Sequence, residues 1–269
     1  MSSDIHLAFQ RSDVDTLKEG LFAFLDRVDG LPLVQAVKHR MAGVLDRRQG
    51  LRILDLGCGM GHELPRLAEL ARPGGCVIGV DLNPDMIAEA RRRTAHLGDL
   101  VECRTGDAQR LDLADSSMDV VRAERVLMYV PDQMRAINEI VRVVKPGGTV
   151  VVFELDYGAA TIDMPDRSAA RRVQDTLEAT LPHPWTGRSL GRLFYDAGLR
   201  DVTSEPIAMP LSYDLYLRLA QPALAAAVES GALDAATYRK WLDAGEAAHR
   251  AGRFFDTFLG MIVWARKPE

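Results

Sequence analysis

The residues of this sequence that could most clearly do chemistry lie in a glycine-rich stretch between an apolar run and a helical one. The stretch reads Asp55-Leu56-Gly57-Cys58-Gly59-Met60-Gly61-His62. Glycines at alternate positions carry no Cβ atom, so the backbone can turn sharply and a ligand can lie directly against it. The following helix presents free N–H groups that bind anionic or polar ligand groups. The stretch therefore predicts a ligand-binding turn between a strand and a helix.

The glycine spacing separates two classes of nucleotide ligand. It is Gly-x-Gly-x-Gly, and His62 stands where a dinucleotide fingerprint has its third glycine. A pyrophosphate site uses Gly-x-Gly-x-x-Gly. A dehydrogenase on the same kind of sheet stays an alternative, but this spacing and the later segment Gly106-Asp107-Ala108 argue against it.

An acidic residue follows the turn at the distance that nucleotide-binding α/β folds use. The apolar run Val77–Val80 ends in Asp81, where an acid accepts hydrogen bonds from ribose hydroxyls in such folds. A carboxylate has two oxygens, which suits a vicinal diol. Asn83 is then predicted to cap the next helix, and Pro84 suits its first position.

Strand-like and helical segments continue to alternate along the chain. The later segments are strands at Leu100–Cys103, Met118–Val121, Thr149–Leu155, Asp201–Ile207 and Phe254–Arg266, helices at Asp132–Val144, Arg167–Thr180 and Gly187–Ala197, and a break at Lys145-Pro146-Gly147-Gly148. Strands that alternate with helices predict an α/β fold with a mostly parallel sheet.

In order, type and spacing, these segments resemble the small-molecule branch of the class I S-adenosylmethionine-dependent methyltransferases. The resemblance is specific over about residues 51–155 and loose elsewhere. It implies a doubly wound, Rossmann-like sheet of seven strands, mostly parallel, with helical lid additions and only the last strand antiparallel. It also implies S-adenosylmethionine as cofactor.

The resemblance further implies which residues hold the cofactor. Asp55 and the backbone of Gly57–Gly61 would hold the methionine part, and Asp81 the ribose. Leu82 and Met86 would pack against the adenine, while the Asp107 carboxylate and the Ala108 N–H would form hydrogen bonds with it. The implied set is Asp55, Gly57, Cys58, Gly59, Gly61, Asp81, Leu82, Met86, Gly106, Asp107, Ala108, Arg122, Ala123, Glu124 and Arg125. Each residue alone could also be a turn, a cap or a core residue.

The segments outside this core are expected to select the acceptor. We predict one domain over 1–269, with an N-terminal helical lid at 13–49, a cofactor-binding half at 50–156 and a C-terminal half at 157–269. Gln35, His39 and Arg40 are the lid residues that could face the cofactor or substrate. A helical insert at about 211–253 either packs as plain core or caps an apolar acceptor pocket together with the lid.

No motif in the sequence identifies a catalytic residue. The sulfonium methyl is already activated, so alignment and exclusion of water would supply most of the catalysis. A base is needed only for an acceptor with a tightly held proton. The weak candidates are His183, Tyr157, Glu154, Asp156 and Glu124. We predict methyl transfer to oxygen, nitrogen or carbon of a small, largely apolar or aromatic acceptor; the alternative is a cyclase or binding protein that does not methylate.

The composition indicates which kinds of binding partner and which cellular compartment to expect. The net charge of −5 argues against a nucleic-acid substrate, because phosphate binding needs clustered cations. The three cysteines form no Cys-x-x-Cys pair, which predicts a reducing compartment, no disulfide and no metal site. The sequence has no apolar run of membrane length, so we expect a cytoplasmic protein without a membrane partner. We further expect a monomer or a homodimer.

Overall fold

The computed structural model describes residues 15–45 and 48–269, with side chains from residue 19 onward. The lid was predicted at 13–49, and its residues 13, 14, 46 and 47 lie outside the described residues. The helices are α1 (Asp15–Asp29), α2 (Pro32–Gly43), α3 (Leu64–Ala71), α4 (Pro84–Thr94), α5 (Gln133–Val143), α6 (Arg167–Glu178), α7 (Thr186–Asp196), α8 (Tyr213–Glu229) and α9 (Ala235–Arg250). The strands are β1 (Arg52–Leu56), β2 (Cys76–Asp81), β3 (Val101–Thr105), β4 (Met118–Glu124), β5 (Val144–Ile162), β6 (Arg200–Pro210) and β7 (Asp256–Arg266).

One seven-stranded sheet organises the chain in the order β3-β2-β1-β4-β5-β7-β6. The pairs from β3 through β5 are parallel, and β7 runs antiparallel to both β5 and β6. Parallel pairing needs a crossover between neighbours, which the helices supply. The predicted fold class and the antiparallel last strand are both confirmed.

Local sequence signals account for the elements near the glycine turn. β1 is buried on both faces, as expected for a parallel strand covered by helices on each side. The Asn83 side chain accepts hydrogen bonds from the backbone N–H groups of Asp85 and Met86, and Pro84 opens α4. Asp132 caps α5 in the same way. The strand ends and helix starts around the turn therefore lie where the sequence predicted them.

The strands in the second half depart from their predicted bounds. β5 pairs with β4 from Val144 and again from Thr149 after a register shift, so the expected break at 145–148 is an irregularity within the strand. β5 also continues to Ile162, with a second irregularity between Asp156 and Thr161. β6 extends to Pro210, and β7 begins at Asp256. Antiparallel pairing with β7 lengthens both neighbours beyond their apolar runs.

The helical insert forms a hydrophobic cluster with α6. Trp241 of α9 is fully buried, and its ring centroid lies 5.1 Å from that of Tyr216 on α8. Leu224 and Leu233 of the insert join Ala169 and Val173 of α6 in the same cluster. The insert was predicted either to pack as plain core or to cap an acceptor pocket. The face of α9 that carries Trp241 packs as core. No helix in the described ranges is long and apolar enough to cross a membrane.

Trp241→Ala should destabilise the protein strongly, because it leaves a cavity in the cluster that joins the insert to α6. We expect a loss of about 3–5 kcal/mol in the free energy of unfolding, measured by urea denaturation. Tyr195→Ala is the control, since that ring is exposed on α7 and its loss should change stability by less than about 0.5 kcal/mol. Equal effects of the two substitutions would show that the insert does not pack as described.

Candidate functional site

A cleft of about 500 Å³ opens at the carboxyl ends of β1, β2 and β4. Ligands bind at this edge in open α/β sheets, because the strand order reverses there and the flanking loops separate. Its lining includes the glycine turn, Asp81 at the end of β2, Gly106–Gln109 after β3, and residues of β4 and the loop behind it. The N-terminal helices contribute Leu25 and Lys38.

The glycine turn is held tightly against its neighbours. Gly57 has φ +69°, and a Cβ atom there would overlap the Val126 side chain. The N–H groups of Gly57 and Cys58 both donate to the Val80 carbonyl, at 2.7 and 3.0 Å. Gly59 also has a positive φ, of +53°, yet nothing lies within 4 Å of its missing Cβ. Gly57 is thus required for close packing, whereas Gly59 leaves room for a ligand.

Asp81 connects the end of β2 to the turn. One carboxylate oxygen accepts a hydrogen bond from the Gly59 N–H at 2.9 Å, and the other accepts from the Asn83 N–H at 2.9 Å. Burial raises the pKa of Asp81, although these backbone donors act in the opposite direction. Each oxygen keeps a further lone pair, so the carboxylate can still accept from two ligand hydroxyls.

Buried charges form the floor of the cleft. Arg122 Nη1 donates to Asp55 Oδ1 at 2.7 Å, and Arg122 Nη2 donates to Glu124. Burial alone would raise the pKa of Glu124, but the cations Arg122 and Lys38 beside it lower it to about 2. For Asp55 burial outweighs the effect of Arg122, and its pKa is raised. The guanidinium thus joins carboxylates from two neighbouring strands at the floor of the cleft.

Lys38 of α2 completes this charge cluster from above. Its Nζ lies 2.6 Å from Asp29 Oδ1, 3.6 Å from Glu63 Oε1 and 3.7 Å from Glu124 Oε2. Glu63 Oε2 is buried and lacks a hydrogen-bond partner. With Arg66 beside Glu63 and Arg125 beside Glu124, the cluster comprises four cations and four carboxylates, namely Lys38, Arg66, Arg122, Arg125, Asp29, Asp55, Glu63 and Glu124. Among the described charged residues that line the cleft itself, carboxylates outnumber cations by five to three, which favours a ligand that carries positive charge. The carboxylates are Asp55, Glu63, Asp81, Asp107 and Glu124, and the cations are Lys38, Arg122 and Arg125.

The opposite end of the cleft is less charged. Leu82 is 62% exposed at the rim, and Met86 lies buried behind it. The Asp107 carboxylate accepts from the Gln109 N–H at 2.8 Å, which fixes the turn after β3. Apolar surface beside one carboxylate suits a flat, nitrogen-bearing ring.

The structure brings most of the predicted cofactor residues together. Those that line the cleft are Asp55, Gly57, Cys58, Gly59, Asp81, Leu82, Met86, Gly106, Asp107, Ala108, Arg122, Glu124 and Arg125. Gly61 and Ala123 do not belong to that lining. Gly61 lies against Leu64 and Ala90, where a Cβ would be crowded. Ala123 points into the core, because alternation along β4 turns Arg122 and Glu124 the other way.

Two of the candidate bases have structural partners. Asp156 is buried and forms a bidentate ion pair with Arg188. Glu154 is fully buried, and its Oε1 accepts from the N–H groups of Val126 and Leu127 at 2.8 and 2.6 Å. Those bonds hold the turn after β4, where Arg125 has φ +54°, a conformation uncommon for residues with a side chain. Both carboxylates therefore serve to position the loops beside the cleft.

Two further candidates, Tyr157 and His183, lie at the border of the cleft. Tyr157 packs its ring 4.9 Å from that of Phe258, and burial raises its pKa to about 12. His183 Nε2 lies 3.1 Å from the carbonyl oxygen of Pro131, a residue of the cleft wall. Of the five candidates, Glu124 alone is among the described residues that line the cleft, and it is paired with Arg122.

The polar lid residue that reaches the cleft is Lys38, which was not among the residues predicted from the sequence. Gln35 instead bonds to Asp29, His39 to the Gln35 carbonyl, and Arg40 to Glu205 on β6. Lys38 lies on the buried face of α2 with Val34, Val37 and Met41. A lysine within that apolar stripe was the available signal. We expected the lid and the insert at 211–253 to cover the cleft together. Among the described residues that line the cleft, some come from the lid and none from the insert.

Sequence comparisons relate the chain to known proteins. A family model described as a methyltransferase domain matches residues 47–198. An uncharacterized 37.1 kDa protein in transposon Tn4556 of Streptomyces fradiae is 38% identical over 253 residues, which cover 91% of this chain and 70% of that protein. An arsenite methyltransferase of Halobacterium salinarum is 32% identical over 158 residues, covering 58% of this chain but only 39% of the relative's length.

A solved structure shares the fold. The crystal structure of the Bacillus halodurans protein BH2331 superimposes with a TM-score of 0.63 at 18% identity, covering 86% of this chain and 98% of that one. At that identity the likeness concerns the arrangement of the sheet and its helices.

Gly57→Ala should be much more damaging than Gly59→Ala. Both substitutions place alanine at a positive φ, which costs about 1–2 kcal/mol. Only the first adds overlap with Val126, for a further cost of about 1–3 kcal/mol. Thermal and urea unfolding of both variants measures the difference, and Val126→Ala should partly rescue Gly57→Ala. Equal destabilisation without rescue would refute the close approach.

Glu154→Gln should change how stability depends on pH. Burial raises the pKa of Glu154 to about 7 from its ordinary 4.5, so the folded state holds this proton more tightly than the unfolded one. Glu154 therefore lowers the free energy of unfolding as pH rises from about 4.5 to 7, and the loss is complete above 7. Urea denaturation of both proteins across that window should show a stability difference that grows in favour of the variant. Parallel profiles would contradict the assignment.

Proposed function

The chain belongs to the methyltransferase domain family, and on that premise we propose that it methylates a small, largely apolar or aromatic acceptor with S-adenosylmethionine. The observation that carries the proposal is the excess of carboxylates over cations among the described residues that line the cleft. S-adenosylmethionine carries a sulfonium and an ammonium, so its reactive end is positively charged. A dinucleotide would place an anionic pyrophosphate at the same turn, where these carboxylates repel it.

We assign the polar contacts of the cofactor to the two ends of the cleft. The ribose diol lies on Asp81, whose carboxylate is already oriented by Gly59 and Asn83. The methionine ammonium lies toward the cluster of Asp55, Glu63 and Glu124. Leu82 and Met86 flank the adenine, with the Asp107 carboxylate as acceptor for its amino group and the Ala108 N–H as donor.

The acceptor side of the cleft is apolar. Val126, Tyr129, Val130 and Pro131 form the wall beyond the carboxylate cluster. This lining supports a hydrophobic or aromatic acceptor rather than a polar one. The lid excludes water, and the walls align acceptor atom, methyl carbon and sulfur, which are the main requirements for displacement at an activated methyl.

No proton transfer by the protein is needed for an acceptor that arrives as a neutral amine or a stabilised anion. Asp156 and Glu154 are engaged by Arg188 and by the loop after β4. Transfer to oxygen, nitrogen or carbon is compatible with such a site. Radiolabelled methyl transfer from S-adenosylmethionine into a panel of aromatic phenols, amines and activated carbon acids tests this range directly.

Asp81→Ala should weaken binding of S-adenosylmethionine by about 1.5–3 kcal/mol, because charge-assisted hydrogen bonds to the ribose are lost. Isothermal titration calorimetry measures the change. Asp99→Ala is the matched control, since Asp99 is exposed after α4. Unchanged affinity in Asp81→Ala, or tight binding of NAD by the wild type, would overturn the assignment of the cleft.

A further inference from the structure

A second, smaller cavity lies beneath the helical insert. Its volume is about 40 Å³, and it is enclosed by the end of β5, α6, α8 and the start of β7. Most of its wall is apolar, with Ile162, Val173, Leu177 and Ala220 among the residues that face it. A space of this size holds a polar head group with a carbon or two, since one water molecule occupies about 30 Å³.

Two polar side chains in this wall are buried without partners. Asp256 is 5% exposed, and its Oδ1 has no hydrogen-bond partner. Tyr216 is 4% exposed, and its hydroxyl also has none. Burial raises the pKa of Asp256 to about 7, as expected for a carboxyl group without a neighbouring cation. A buried carboxylate is normally paired, so this pair requires an explanation.

The other polar groups of the cavity are already engaged. Gln174 donates its amide to the Tyr157 carbonyl, and Thr180 donates its hydroxyl to the Leu177 carbonyl at 2.7 Å. Asp256 and Tyr216 are thus the lining groups that remain available. Their chemistry selects the ligand: an acid and a phenol oxygen together accept hydrogen bonds from a donor group, and a carboxylate repels an anion.

Tyr157 links this cavity to the cofactor cleft. It lines the cavity together with Phe258, against which its ring packs. It also interacts electrostatically with Arg125, and it adds to the effect of burial, which raises the pKa of Tyr129. Both of those residues line the cofactor cleft on the side of the proposed acceptor wall. Tyr157 therefore lies between the two spaces, and no described residue lines both of them.

On the basis of the proposed function, we propose that this cavity anchors the acceptor by a protonated amino group. Asp256 supplies the counter-charge and Tyr216 a hydrogen-bond acceptor, while the apolar body of the acceptor extends past Tyr157. The substrate class is then an apolar molecule that carries an amine. Both anchoring residues lie outside residues 47–198, the part that matches the family model. The insert, through Tyr216, and the start of β7, through Asp256, would therefore select the acceptor.

The test is calorimetric binding of n-hexylamine to the protein saturated with S-adenosylhomocysteine. At pH 8 this amine is protonated, like a lysine side chain, and 1-hexanol serves as its uncharged counterpart. We expect hexylamine to bind at least tenfold more tightly than hexanol. Asp256→Asn should abolish this preference, and Tyr216→Phe should weaken hexylamine several-fold. Asp243→Asn, an exposed acid of the same insert, should have no effect.

The outcomes separate this proposal from the one on which it depends. Failure of the unaltered protein to bind S-adenosylhomocysteine would contradict the proposed function itself. Normal binding of that ligand, with no preference for hexylamine or a preference that survives Asp256→Asn, would overturn only the amine anchor. If Asp256→Asn fails to fold, Tyr216→Phe and the comparison of hexylamine with hexanol in the unaltered protein decide the matter.

Discussion

The buried ion pairs of Arg122 are the interaction on which the site depends. One guanidinium holds Asp55 of β1 and Glu124 of β4 together at the floor of the cleft. Buried ion pairs contribute little net stability compared with apolar residues, yet loss of one partner costs about 3–5 kcal/mol. Their value here is positional, because they fix carboxylates beside the glycine turn.

The same charges attach the N-terminal helices to the sheet. Lys38 of α2 extends over the cleft to Glu63 and Glu124, while Asp26 of α1 pairs with Arg93 and His62. These contacts surround the ligand space, so the position of the lid is coupled to the charge in the cleft. On the other side, Glu154 holds the loop that carries Arg125 and Val126. The cleft is thus shaped by carboxylates that act as structural acceptors as well as by those available to a ligand.

The fold could be predicted, and the residues proposed to hold the cofactor come together in one cleft, because their signals are local. The turn at Gly57, the acid at the end of β2 and the cap at Asn83 each follow from neighbouring residues. The features that the sequence did not predict depend on partners that are distant along the chain. The pairing of Asp156 with Arg188 spans 32 positions, and the reach of Lys38 depends on where α2 packs. The insert likewise has an amphipathic pattern that suits either cover of the cleft or packing on α6, and only tertiary contacts select the second.

A crystal structure of the complex with S-adenosylhomocysteine tests the central claim most directly. The account predicts the ribose hydroxyls within about 3 Å of the Asp81 carboxylate. It also predicts the amino group of the ligand at the carboxylate cluster beside Arg122, and the sulfur facing the apolar wall near Tyr129. A ligand whose ribose lies away from Asp81, or whose amino group faces solvent instead of the cluster, would contradict it.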